Sequence, residues 1–140
     1  MPEITEAELK KQIEKQNFSS LYLLHGEEKY LLKKYADKLI QKASGGSFLD
    51  FNFQKFDGSS ASVDDIAAAV EALPFMAERK CVAVSDLNME AKNSQDIKKW
   101  NELLDMLPET TVLVIYLPSL DIDYKKSSKW KNFIAAVNKK

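Results

Sequence analysis

The sequence predicts an α/β domain in three layers, with a parallel sheet flanked by helices on both faces. Three observations carry that expectation. Short apolar or alternating runs stand at 21–25, 51–56, 80–85 and 110–117; amphipathic segments lie between them; and Gly, Pro or Asp-Gly marks the junctions. Strands that alternate with helices imply right-handed crossovers, and therefore a parallel sheet whose faces are covered by the helices.

The elements follow in order. Thr5 to Gln16 opens with a capping box, Thr5 facing the backbone three residues on and Glu8 reaching back, and carries Leu9 and Ile13 at helical spacing. Leu21 to His25 is a continuous apolar run between Ser-Ser and Gly26, as a fully buried strand would be. From about Glu28 to Ala43, Leu31, Leu32, Tyr35, Leu39 and Ile40 form one helical stripe, with Lys29, Lys33, Lys34, Lys38 and Lys42 off it. Gly45-Gly46 closes that helix. Phe51 to Phe56 alternates aromatic and polar residues, the mark of a strand with one more exposed face, and Asp57-Gly58 turns the chain. Ser62 caps a helix running to about Ala72, with Asp64 and Asp65 at its positive end. Lys80 to Ser85 is the third strand. Asn93 or Ser94 starts a helix bearing Ile97, Trp100, Leu103, Leu104 and Leu107, which stops before Pro108. Thr110 to Leu117 is the strongest strand signal, and Ser127 caps a last helix with Trp130, Phe133, Ile134 and Val137.

Composition bounds what this scaffold does. With 140 residues, 45% of them hydrophobic, the chain is expected to form a single domain over 1–140 with one core. No apolar run approaches the ~20 residues of a membrane helix, and the acidic, amphipathic start is unlike a secretory signal. Cys81 stands alone, which excludes an internal disulfide; a cytoplasmic protein is expected. Twenty Lys+Arg against 21 Asp+Glu argues against strong DNA binding by this domain alone, because phosphate neutralisation dominates such affinity. Lys125, Lys126, Lys129, Lys131, Lys139 and Lys140 nevertheless cluster with no acid among them. They read as a solvated helix face, or as a basic surface near DNA in a larger assembly.

Motifs for chemistry are mostly missing. A phosphate site would occupy the first strand-to-helix loop, but His25-Gly26-Glu27-Glu28-Lys29 has one glycine, no Gly-Lys-Ser/Thr, and two carboxylates where phosphate oxygens would lie. No nucleotide or other cofactor is expected. Asp57 and Asp86 follow the second and third strands, where a receiver-like or nucleotide-binding domain would hold Mg²⁺; as turn and loop residues they have a plainer explanation. His25, the sole histidine, has no nucleophile motif beside it, and Cys81 lies inside an apolar strand. Nothing here suggests an enzyme. One connection is unusual. Between helix and strand, where polar residues are the norm, Leu73-Pro74-Phe75-Met76 is apolar. Residue chemistry alone favours packing of these side chains at the helix end; the other reading is an anchor for a partner's pocket.

The stretch LYLLHGEEKYLLKKYADKL, with the later FNFQKFDGSSASVDDIAAAVEALPFMAERKCVAVSDL, resembles the DNA polymerase III delta subunit family over roughly Leu21 to Leu120. No single motif carries the likeness; the ordered combination with the missing P-loop does. The resemblance implies an AAA+-like, P-loop NTPase-type first domain without a functional P-loop, acting non-catalytically in DNA replication. It implies that Phe75 and Met76 bind the sliding clamp (the beta subunit) and promote its opening, with Leu73 and Pro74 shaping the approach. Phe-Met stands here for the family's Leu-Phe, so size and apolarity are kept. It further implies a lid and a collar domain outside this chain, the collar joining other clamp-loader subunits, with DNA met only in the assembled loader and no membrane involved. The expected location is the cytoplasm, at the nucleoid-associated replisome. On this likeness the partner-anchor reading of 73–76 is preferred.

Overall fold

The structure, a computed structural model, describes residues 4–44, 52–121 and 126–139. Helix α1 spans Glu6–Lys15, strand β1 Leu21–Leu24, α2 Lys29–Ala43, β2 Phe53–Asp57, α3 Val63–Glu71, β3 Lys80–Ser85, α4 Ser94–Asp105, β4 Thr111–Tyr116 and α5 Ser128–Asn138. A single 3₁₀ turn, Met89–Ala91, lies between β3 and α4, where the sequence offered no periodic signal. The four strands are parallel in the order β1-β4-β3-β2.

That order fixes the layers. The crossover from β1 to β2 runs across the sheet one way, while those from β2 to β3 and from β3 to β4 run back. Right-handed connections therefore place α2 on one face and α3 and α4 on the other. Helix α1 packs with α2, and α5 packs with α4. Trp100 of α4 and Trp130 of α5 meet Phe133 edge-on, with centroids 6.1 and 6.0 Å apart, which knits the second helical layer together.

Burial follows sheet position. β3 and β4 are central; β4 is buried throughout and β3 is buried except at Ser85. β2 is an edge, with Gln54 and Lys55 in solvent. β1 departs from the fully buried strand its apolar run suggested: Leu21 and Tyr22 are buried, but Leu23 and Leu24 are only half-buried. The reason is its edge position, with β4 as its single strand neighbour.

Four helix starts match their capping residues, while α2 starts after Glu28 without a side-chain cap. Thr5, Ser62, Asn93 and Ser127 each accept a hydrogen bond from the backbone N–H three residues on. The Gly45-Gly46 stop, Phe51, Lys125 and Lys140 lie outside the described residues. Of the other lysines in the C-terminal cluster, Lys126, Lys131 and Lys139 are exposed, in keeping with a solvated face. Lys129 instead donates to the Glu90 and Lys92 carbonyls, at 3.2 and 2.9 Å, and so ties α5 to the 3₁₀ turn.

Candidate functional site

The connection from α3 to β3 leaves the protein surface. Ala72 breaks from helical geometry (φ −64°, ψ 141°), and Pro74 bars its resumption. Leu73 is 82% exposed, Met76 74% and Phe75 46%. Packing at the helix end, the reading favoured by residue chemistry alone, is therefore corrected. Pro74 is half-buried beneath them. Three large apolar side chains within four consecutive residues make this an apolar projection.

Its mounting is polar and buried. The last carbonyls of a helix need partners, and here three of them are supplied. Ala68 O accepts from Ala72 N at 3.2 Å, Ala69 O from the Lys80 ammonium, and Val70 O from Thr111 Oγ1 at 2.9 Å. The Lys80 cation suits the negative end of the helix, although burial pulls its pKa below the usual lysine value. On the loop itself, Asn52 Nδ2 donates to Phe75 O at 2.8 Å while Phe75 N donates to Asn52 Oδ1 at 2.6 Å. Met76 adopts φ 50°, a left-handed backbone uncommon for a residue with a side chain. Downstream, the Arg79 guanidinium lies 5.0 Å from the Phe18 ring centroid, which fixes the loop's exit.

Asn52, Lys80 and Thr111 are thus parts of the site that the sequence reading missed. Lys80 had a signal, being a lone charge at the head of an apolar strand. Asn52 had none: the alternation at 51–56 assigns it to the strand's polar side, yet it is fully buried.

The opposite, C-terminal end of the sheet holds the other candidates. Gly26 sits at φ 145°, and Glu27 and Glu28 are exposed at the start of α2. Lys29 turns inward, donating to Leu117 O (3.1 Å) and Leu120 O (2.6 Å) and pairing with Asp121 (3.0 Å). A groove of about 530 Å³ runs beside β1, lined by Leu24, Gly26, Glu28, Leu31 and Ile134 among others. Asp57 and Asp86 do follow β2 and β3, but each is engaged by loop backbone, Asp57 in its own turn and Asp86 with the loop after β4. Asp57 Oδ1 accepts from Ser59 N and Oγ, at 2.9 and 2.7 Å, and these bonds lower its pKa. Asp86, at φ 51°, accepts from Ser119 N and Leu120 N, at 2.9 and 3.2 Å. No group of three metal-ligating side chains comes together among the described residues. His25 is exposed. Cys81 is buried, and loss of water pushes its thiol up to about 12, away from any nucleophilic form near neutrality. No helix among the described residues is long and apolar enough to cross a membrane.

A family model described as DNA polymerase III, delta subunit, matches residues 22–138, nearly the whole chain. The chain belongs to this family. A DNA polymerase III subunit delta of Bacillus subtilis is 28% identical over 122 residues, which cover 83% of this chain and 35% of that protein. Among solved structures, a Bacillus subtilis DNA clamp loader delta protein matches with a TM-score of 0.77 and 23% identity, over 94% of this chain and 40% of that one. A DNA polymerase III gamma subunit-related protein of Thermotoga maritima gives 0.64 and 19%, over 89% and 43%. The delta-family chain described here therefore has the AAA+-like α/β fold, and it spans less than half the length of each of these relatives. Its family match takes in both ends of the sheet, including the apolar projection at Leu73-Pro74-Phe75-Met76.

Proposed function

We propose that this chain is the clamp-gripping domain of a clamp-loader delta subunit acting in bacterial DNA replication. In this reading Phe75 and Met76 enter an apolar pocket on the sliding clamp, while Leu73 and Pro74 set the approach. The observation that carries the reading is the exposure of Leu73, Phe75 and Met76 on a loop anchored by hydrogen bonds from Asn52, Lys80 and Thr111. A few large side chains seated in a partner's pocket supply most of an interface's energy, and an ordered loop pays less entropy to present them.

The domain does no chemistry in this scheme. It favours the open clamp by binding that form better than the closed one, since a ligand of equal affinity for both would shift nothing. ATP turnover belongs to other loader subunits. Those subunits would be met through the collar domain that the family implies beside a lid domain, DNA only in the assembled loader, and the setting is the cytoplasm. Binding to an immobilised bacterial sliding clamp tests the proposal. The double variant Phe75→Ala/Met76→Ala should lose binding with little change in melting temperature. Retained binding overturns the proposal.

A further inference from the structure

We infer that Asn52 is the positioning residue of the exposed loop, its carboxamide holding the Phe75 peptide in the presenting shape before a partner arrives. The inference rests on the clamp-gripping reading and adds a residue to it that makes no contact with the clamp.

Asn52 is fully buried, and both polar atoms of its amide are committed to one residue, Phe75, 23 positions away. The reciprocal pair, Nδ2–H to Phe75 O and Phe75 N–H to Oδ1, copies the exchange between directly opposed residues of two antiparallel strands. A side chain thus does for this loop what a neighbouring strand does inside a sheet. The loop needs it. Leu73 and Met76 lie mostly in solvent, so packing holds them in no one place. Pro74 has no N–H to offer, and the left-handed Met76 would relax if released. The Asn52 amide bonds the backbone at the apex directly, between the capped end of α3 and the Arg79–Phe18 contact. The chemistry demands asparagine. A carboxylate lacks the donor and would face Phe75 O, and alanine supplies neither bond.

The functional consequence follows from populations. If the loop shows its side chains correctly for only a fraction of the time, apparent affinity falls by that fraction. Asn52→Ala should therefore weaken binding of the 140-residue chain to immobilised sliding clamp by about tenfold or more. Asn52→Ser keeps a small neutral polar group in the slot but cannot reach both Phe75 N–H and O, so it should weaken binding as well; it also serves if the alanine variant folds poorly. Hydrogen exchange separates positioning from general damage. The Phe75 and Met76 amides should exchange faster in Asn52→Ala while the β3 and β4 amides keep their protection. Phe75→Ala/Met76→Ala is measured alongside. If that double variant still binds, the clamp-gripping reading fails. If it loses binding while Asn52→Ala binds like wild type, or better, the inference about Asn52 alone is overturned. Uniformly faster exchange across β3 and β4 in both Asn52 variants would also overturn it, by making Asn52 a core-stability residue.

Discussion

Lys80→Met tests whether the base of the projecting loop is held by charge. The substitution keeps an unbranched apolar stem in the same slot and deletes only the ammonium. Lys80 is 5% exposed, and its ammonium bonds to Ala69 O at the end of α3. A hydrogen bond to a charged group contributes about 1.5–3 kcal/mol, and a cation at a helix C-terminus about 0.3–1 kcal/mol more. Against this stands the cost of keeping the ammonium from water, the effect that lowers its pKa. The balance expected is a loss of about 1–2 kcal/mol, seen as a thermal midpoint lower by about 3–7 °C for a chain of this size. The Lys80 N–H still pairs with Thr110 O at 2.9 Å, so strand pairing is not what the experiment perturbs. Circular dichroism melts give the midpoint, and urea titration confirms an unchanged m-value. A variant as stable as wild type, or more so, would refute the reasoning: burial of the ammonium would then outweigh the bond it makes.

Two further outcomes follow from the core. Gly58→Ala should cost about 3 kcal/mol in urea unfolding, because its new Cβ would stand 2.7 Å from Leu87 Cα and N and from Ser85 O, all backbone atoms that cannot swing aside; a loss below ~1 kcal/mol would show that β2 and β3 shift easily. Cys81 should make stability fall with rising pH: the unfolded thiol ionises near 9.0 whereas the folded one keeps its proton to about 12, so stability present below 9.0 is lost through that window. Wild type should therefore lose about 1 kcal/mol more than Cys81→Ala between pH 8 and pH 10, and equal losses would contradict the assigned burial.

Where the sequence was readable, one physical rule dominated locally. β3 and β4 stood out because a strand covered on both faces must be apolar throughout, and the caps at Thr5, Ser62, Asn93 and Ser127 because a helix start needs an oxygen within three residues. Misreadings came where partners distant in sequence decide. Leu23 and Leu24 are half-exposed because strand order, not composition, makes β1 an edge. Lys29 looked like one more solvated lysine off the stripe of α2, yet its partners lie some 90 residues on. Asn52 bonds across 23 positions to a loop whose path no periodicity describes. For 73–76, apolar chemistry pointed inward, and the exposure of Leu73, Phe75 and Met76 corrects that reading.

Lys29 has a consequence for how steady the far end of the sheet can be. Two carbonyls and the Asp121 carboxylate, all from the stretch that follows β4, seat its ammonium, so the strand order's outer pair is buckled together by a residue of the chain itself. A machine part that borrows its rigidity from a fuel molecule softens each time the fuel departs. This clasp is built from the polypeptide alone and travels with it.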